Sequence, residues 1–168
     1  MRAGIALGSN LGDRLVHLRD ARGRILQITG VSGPVRASRI YETEPVDSAP
    51  DASAYLNAVL EVEYDGPPGA LLDALQAIEA AFGRPSKRPR NAPRTIDLDI
   101  LYAGNLVLRN QEVVIPHPRL HLRRFVLTPL ADLRPELILP GQEQSVAGLL
   151  AALRDPAAVT IFSGTWDA

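Results

Sequence analysis

Two aspartates stand two residues apart in Pro93-Arg94-Thr95-Ile96-Asp97-Leu98-Asp99-Ile100-Leu101, inside an otherwise apolar run. Side chains alternate faces along a strand, so Asp97 and Asp99 point one way while Ile96, Leu98 and Ile100 point the other, into a core. Two carboxylates ~7 Å apart repel by roughly 2 kcal/mol at an effective dielectric of ~20. A cation relieves that repulsion. Just upstream, Arg84, Lys87, Arg88, Arg90 and Arg94 crowd a proline-rich loop that holds no acidic residue. Guanidinium groups donate paired hydrogen bonds to phosphate. Magnesium takes one or two protein carboxylates and completes its shell with phosphate oxygens and water. Carboxylate pair and basic loop together suggest a polyphosphate site, with two magnesium ions sharing bridging phosphate oxygens.

Other residues fit around that centre. Gln76 and Glu79 lie a turn apart on one side of a predicted helix, just before the basic loop. His117, between Pro116 and Pro118, is a candidate hydrogen-bond donor to phosphate. Tyr55 and Asn57 share a strand face, and Phe125 offers a second ring. A flat heterocycle would stack between the rings while Asn57 reads its polar edge. Each group also has a plainer reading: an edge-strand polar face, a solvated loop or helix surface, a structural histidine, core packing.

The bulk numbers narrow the field. With 168 residues, 46% hydrophobic and 22% charged, the chain suits a single domain over 1–168 with a substantial core. The net charge of −1 supplies no global field toward nucleic acid or a membrane surface. No apolar run approaches the ~20 residues of a membrane span, and the N-terminal apolar stretch is too short for a signal peptide. The absence of cysteine excludes disulfides and thiolate chemistry and favours the cytoplasm. Lys87, the only lysine, lies between Ser86 and Arg88, so there is no Walker motif. Nothing calls for an obligate partner, and a monomer is expected.

The elements that must position these residues follow from periodicity and breakers. Gly4–Leu7 reads as a strand ending at Gly8-Ser9-Asn10, and Asn10 or Asp13 caps a helix over 13–29. Strands are predicted at 35–43 and 55–64, separated by a long loop over 44–53. Pro67-Pro68 opens a helix that Gly83 ends. The Asp-x-Asp strand runs to Tyr102, a brief strand follows near 106–108, and 115–118 is an irregular corner. Residues 119–133 read as partly helical, 145–154 as a short helix and 159–162 as a last strand. The order strand, helix, strand, strand, helix, strand over 1–102 predicts an α+β fold. It is a ferredoxin-like split βαβ antiparallel sheet with helices packed on one face, plus a C-terminal extension.

Arg-Asn-Ala-Pro-Arg-Thr-Ile-Asp-Leu-Asp-Ile-Leu closely resembles the signature of the 6-hydroxymethyl-7,8-dihydropterin pyrophosphokinases of folate biosynthesis. The likeness extends to Ala-Leu-Gly-Ser-Asn-Leu-Gly near the start, Tyr41-Glu42-Thr43-Glu44-Pro45, Tyr55-Leu56-Asn57-Ala58, Ile78-Glu79 with Gly83-Arg84, Ile115-Pro116-His117-Pro118, and Arg123-Arg124-Phe125 with Pro129-Leu130. The resemblance implies transfer of the β,γ-diphosphate of ATP to the hydroxymethyl oxygen of the pterin, leaving AMP. It implies that Asp97 and Asp99 bind two magnesium ions and that Arg84, Arg94, His117 and Arg123 contact the triphosphate. Gln76, Glu79 and Ile100 would help to hold the nucleotide. Thr43, Pro45, Val46, Tyr55, Asn57 and Phe125 would form the pterin pocket. Asn91, Ser86, Glu112 and Pro118 depart from the family pattern, where a tryptophan, an arginine, a basic residue and an aromatic are familiar. An RNA-binding module using the basic loop and a metal-dependent phosphohydrolase are the competing readings.

Overall fold

The computed structural model describes residues 1–44, 53–83 and 95–167. Strands and helices follow in the order β1 (Arg2–Ser9), α1 (Arg14–Ile25), β2 (Val31–Ala37), β3 (Ile40–Thr43), β4 (Tyr55–Tyr64), α2 (Pro68–Ala81), β5 (Asp97–Ala103), β6 (Leu108–Arg109), β7 (Val114–Ile115), a 3₁₀ turn (Leu120–Leu122), α3 (Arg124–Leu133), α4 (Val146–Ala152) and β8 (Val159–Ser163). One antiparallel sheet runs β5-β1-β4-β3-β8, with β2 also on β4. β6 and β7 form a separate small hairpin.

Helices cover both faces of the sheet. Leu56, Ala58, Leu60 and Val62 of β4 pack with Leu18, Ala21 and Ile25 of α1 and Leu71, Leu75 and Ile78 of α2. On the other face Val59 packs with Leu101, Tyr102 and, from α3, Val126, Leu127 and Leu130. The expectation of helices on one face holds for α1 and α2 only; the C-terminal helices close the second face. This is why β4, the central strand, is buried along nearly its whole length.

The local boundaries have identifiable causes. Asp13 caps α1 by accepting a hydrogen bond from Val16 N at 3.2 Å. The helix stops at Ile25, short of the expected 29, because the Gln27 and Ile28 amides bond three residues back, to Arg24 O and Ile25 O, and wind the end into a tighter turn. The single strand expected over 35–43 is two pieces. At Ser38 the hydroxyl accepts from Val59 N at 2.9 Å, so a side chain enters the ladder and β2 gives way to β3. Beyond β8, Trp166 is buried and its Nε1 donates to Ser38 O at 2.8 Å, pinning the C-terminal segment on this break.

β5 carries one extra residue against β1. Ile5 pairs Ile100 while Gly4 pairs Tyr102, which leaves Leu101 as a bulge. Leu101 and Tyr102 therefore both serve the α3 face, and Ala103 returns to the other. The Tyr102 ring lies where a Cβ on Gly4 would stand, 2.3 Å from its nearest ring atom. Its hydroxyl donates to Glu61 at 2.5 Å, and Arg134 clamps the same carboxylate with Nε and Nη2 at 2.6 to 3.1 Å. Burial disfavours the Glu61 anion, but the bonds from Arg134 and Tyr102 outweigh it and hold the carboxyl below its ordinary range.

Removing one partner of this pair strands a buried charge. Arg134→Met is expected to cost about 3 kcal/mol, roughly 10 °C of melting temperature for a chain of this size. Adding Glu61→Gln to that variant should recover part of the loss. Thermal denaturation of the three proteins checks it, and an Arg134→Met loss below ~1 kcal/mol would show the clamp to be idle.

Candidate functional site

Among the described residues β5 is an edge strand, and it packs against α2. Leu98 and Ile100 are buried in the α1/α2 core, which turns Asp97 and Asp99, both half-buried, to the α3 face. Glu79 reaches from α2 so that Oε2 accepts the Leu98 N–H at 3.1 Å. An edge strand leaves such a donor without a strand partner, and a buried carboxylate, here 7% exposed, supplies one. Gln76 stands exposed a turn earlier and does not share the inward course of Glu79. The Ile100 side chain belongs to the core.

Across the sheet the register sets Asp97, Gly8, Asn57 and Tyr41 abreast on β5, β1, β4 and β3. Asp97 and Asn57 are thus two strand spacings apart, about 10 Å. Asn57 Nδ2 donates to Thr43 Oγ1 at 3.0 Å, and both residues are buried. Thr43 pairs Tyr55, so the amide, the hydroxyl and the ring gather where β3 and β4 end. Tyr41, next in the row, donates to Asp132 of α3, whose carboxylate is also gripped by the Arg39 guanidinium at 2.8 and 3.1 Å.

His117 closes the opposite side. Its backbone N–H donates to Leu101 O at 2.9 Å, which ties the 115–118 corner to the β5 bulge. Nδ1 accepts the Arg119 N–H at 3.1 Å, which places the ring proton on Nε2. Burial, then the Arg123 charge, push its pKa from the usual 6.5 down to about 4, with Asp97 opposing and Arg119 assisting. The ring is therefore neutral near pH 7 and offers one Nε2–H donor. The Arg123 guanidinium sits 5.6 Å from the centre of the half-buried Phe125 ring, so cation and aromatic come as a unit at the start of α3.

One contributor was not visible in the sequence. Arg14 Nη1 donates to Ala54 O at 2.8 Å and pairs with Glu42 at 2.8 Å, and its guanidinium lies 5.6 Å from the Phe162 ring. The first turn of α1 thereby ties β3, the approach to β4 and β8 together beside Thr43 and Tyr55. Only three-dimensional pairing identifies it. Pro45, Val46, Arg84, Arg94 and the rest of the basic loop, with Ser86 and Asn91, lie outside the described residues.

The donor set fits magnesium. Two same-face carboxylates are hard oxygen ligands, and among the described residues no group of three or more His, Cys, Asp or Glu side chains gathers as a self-sufficient metal cage. No helix is long and apolar enough to cross a membrane among these residues.

The family model for 7,8-dihydro-6-hydroxymethylpterin-pyrophosphokinase (HPPK) matches residues 4–135. This chain belongs to the HPPK family. The 2-amino-4-hydroxy-6-hydroxymethyldihydropteridine pyrophosphokinase of Bacillus subtilis is 41% identical over 129 residues, covering 77% of this chain and 75% of that protein. The enzyme of the same name from Methylorubrum extorquens is 35% identical over 158 residues, 94% of this chain and 96% of the relative. Among solved structures, an HPPK-DHPS in complex with substrates superposes with a TM-score of 0.70 at 15% identity, over 90% of this chain. The chain spans 44% of that longer protein, and the likeness speaks to fold. All the candidate site residues fall inside the HPPK match, whereas β8 and Trp166 lie beyond it.

Two measurements probe this geometry. Between pH 6.5 and 4 the unfolded chain binds a proton at His117 that the folded chain refuses, so its contribution to stability falls as pH drops through that window and is constant above it. The melting temperature should therefore fall more steeply from pH 7 to 4.5 in the wild type than in His117→Asn; equal slopes would contradict a buried neutral ring. Glu79→Ala leaves the Leu98 N–H without its acceptor, for an expected loss of about 1–2 kcal/mol. Faster hydrogen exchange at the Leu98 amide is the local check, and unchanged protection would dismiss the bond.

Proposed function

We propose that the Asp97–Gly8–Asn57 row is where ATP and a hydroxymethyl pterin meet. The chain transfers the β,γ-diphosphate of ATP to the hydroxymethyl oxygen of 6-hydroxymethyl-7,8-dihydropterin, releasing AMP and the pterin diphosphate used in folate biosynthesis. The register carries this reading. It sets a hard-oxygen platform and a buried hydrogen-bonding amide on one face, about 10 Å apart.

The pterin lies between Tyr55 and Phe125, with Asn57, Thr43 and the chain at Pro45 and Val46 reading its edge. Asn57 is already held by Thr43, so little ordering remains for binding. Asp97 and Asp99 hold two magnesium ions, which supply charge neutralisation on the phosphate oxygens. Arg84, Arg94, Arg123 and the His117 Nε2–H contact the triphosphate, and Gln76, Glu79 and Ile100 border the nucleotide. The hydroxymethyl oxygen attacks the β-phosphorus in line. The new O–P bond forms as the bond to the α,β-bridging oxygen breaks, and that oxygen leaves on AMP. The hydroxyl gives up its proton as the bond forms. Positioning and electrostatics do most of the work, as in other phosphoryl transfers.

The same reading takes the β5-β1-β4-β3 arrangement as a ferredoxin-like split βαβ core to which α3, α4 and β8 are added. Residues 1–168 act as one pyrophosphokinase domain, since β8 near the C-terminus joins the sheet that β1 begins. We take it to work as a monomer in the cytoplasm, where zero cysteines are no handicap.

Incubation with ATP, magnesium and the hydroxymethyl pterin should yield AMP and pterin diphosphate in equal amounts. ADP release, or ATP hydrolysis that ignores the pterin, would overturn the reading. Asp97→Ala should lower kcat by about a hundredfold or more while the melting temperature stays within a few degrees.

A further inference from the structure

Three residues of β1, Gly4, Ala6 and Gly8, face α3, and none is larger than alanine. Each small residue invites the question of what lies on it. Tyr102 covers Gly4, and Ala6 packs at the margin of the α3 cluster. At Gly8 the three atoms nearest to an added Cβ are Asn57 Oδ1 at 3.1 Å, Tyr55 Cδ1 at 3.7 Å and Leu56 O at 3.8 Å. No atom of β5 comes closer than these, although Asp97 stands directly across. Gly8 is in regular strand pairing on both sides, and its φ is not among the positive ones. Backbone conformation thus gives no reason for glycine, which costs about 0.5–1 kcal/mol against alanine in a strand. Among the described residues, what glycine leaves is a strip of strand backbone without a side chain between Asn57 and Asp97.

We propose that Gly8 is a specificity-determining residue: its missing side chain is the floor over which the hydroxymethyl arm of the pterin passes from Asn57 to the Asp97 platform. The inference rests on the pyrophosphokinase reading and adds a residue to it. A methyl group at Gly8 acts twice. It occupies the floor, and at 3.1 Å it presses the Asn57 carboxamide away from its 3.0 Å bond to Thr43. The nucleotide side of the row, centred on Asp97 and Asp99, is not touched.

Gly8→Ala separates the two substrates. Calorimetry with magnesium and a non-hydrolysable ATP analogue should give an analogue Kd within about twofold of wild type. Pterin added to that complex should bind at least tenfold more weakly, and KM for pterin should rise with it. The melting temperature should stay within a few degrees of wild type, because alanine's better strand preference opposes the strain put on the Asn57–Thr43 bond. Pterin affinity within twofold of wild type would overturn the proposal. A second measurement needs no variant. In the wild-type ternary complex, the Gly8 Hα protons should give intermolecular NOEs to the pterin hydroxymethyl protons, and their absence would equally overturn it. Wild type that makes AMP while failing either arm leaves the pyrophosphokinase reading standing without Gly8; wild type that makes no AMP removes both.

Discussion

The extra residue at Leu101 decides what faces what. The pleat has a period of two, so one inserted residue exchanges the faces of everything beyond it. Up to Ile100, β5 sends Leu98 and Ile100 into the α1/α2 core and Asp97 and Asp99 to the α3 face. Past the bulge, Tyr102 joins Leu101 on the α3 face, where its hydroxyl meets Glu61 and Arg134. Without the slip, Tyr102 would enter the opposite core and the Glu61 carboxylate would lose a donor. The carbonyl of Leu101 also receives the His117 N–H. One irregularity thus serves the buried ion pair that joins α3 to the sheet and the histidine that borders the site.

Charge on the α3 face is largely paired. Glu61 is clamped by Arg134, and Asp132 by Arg39 with help from Tyr41; both carboxyls are held below their ordinary range against the cost of burial. Each of these pairs is close to self-neutral, so it adds little net field to the row beside it. His117 is kept neutral between Arg123 and Asp97. Among the described residues, the charges nearest His117 at the row are Asp97 on one side and Arg123 and Arg119 on the other.

Much of this was legible in the sequence, for physical reasons that differ by element. β4 was readable to its ends because apolar residues fill it between turn-forming neighbours, and α2 because Pro68 and Gly83 bracket its periodic stripe. The shared face of Asp97 and Asp99 followed from the pleat alone. The break between β2 and β3 was hidden because it depends on where the Ser38 hydroxyl falls against Val59. The two-residue strands of the β6–β7 hairpin are too short for a periodic signal. Helices on the second face were missed because the split βαβ pattern ends before α3. At the site, Glu79 looked like a helix-surface partner of Gln76, whereas the edge of β5 draws it inward. Arg14 and the Nδ1 bond that fixes the His117 tautomer exist only as tertiary contacts. The division of roles between nucleotide and pterin residues came from family resemblance, not from spacing.

The two sheet edges are treated differently, and the difference matches the proposed chemistry. The β3 edge is covered: β8 pairs it, and Trp166 and Arg14 fasten the cover. A paired strand has no spare amides and little freedom to move, which suits the buried Thr43–Asn57 bond. Among the described residues the β5 edge carries no further strand; Glu79 satisfies the Leu98 amide, and Asp97 and Asp99 are half-buried. An open edge is normally a liability for unwanted strand pairing, and inward-turned carboxylates are one natural defence. Here the same carboxylates are the ones proposed to hold the metal. A metal platform must admit water, ions and a charged substrate, so it belongs at an edge, whereas recognition of a neutral heterocycle gains from burial. Placing the two requirements at opposite ends of one strand row lets a single rigid sheet meet both.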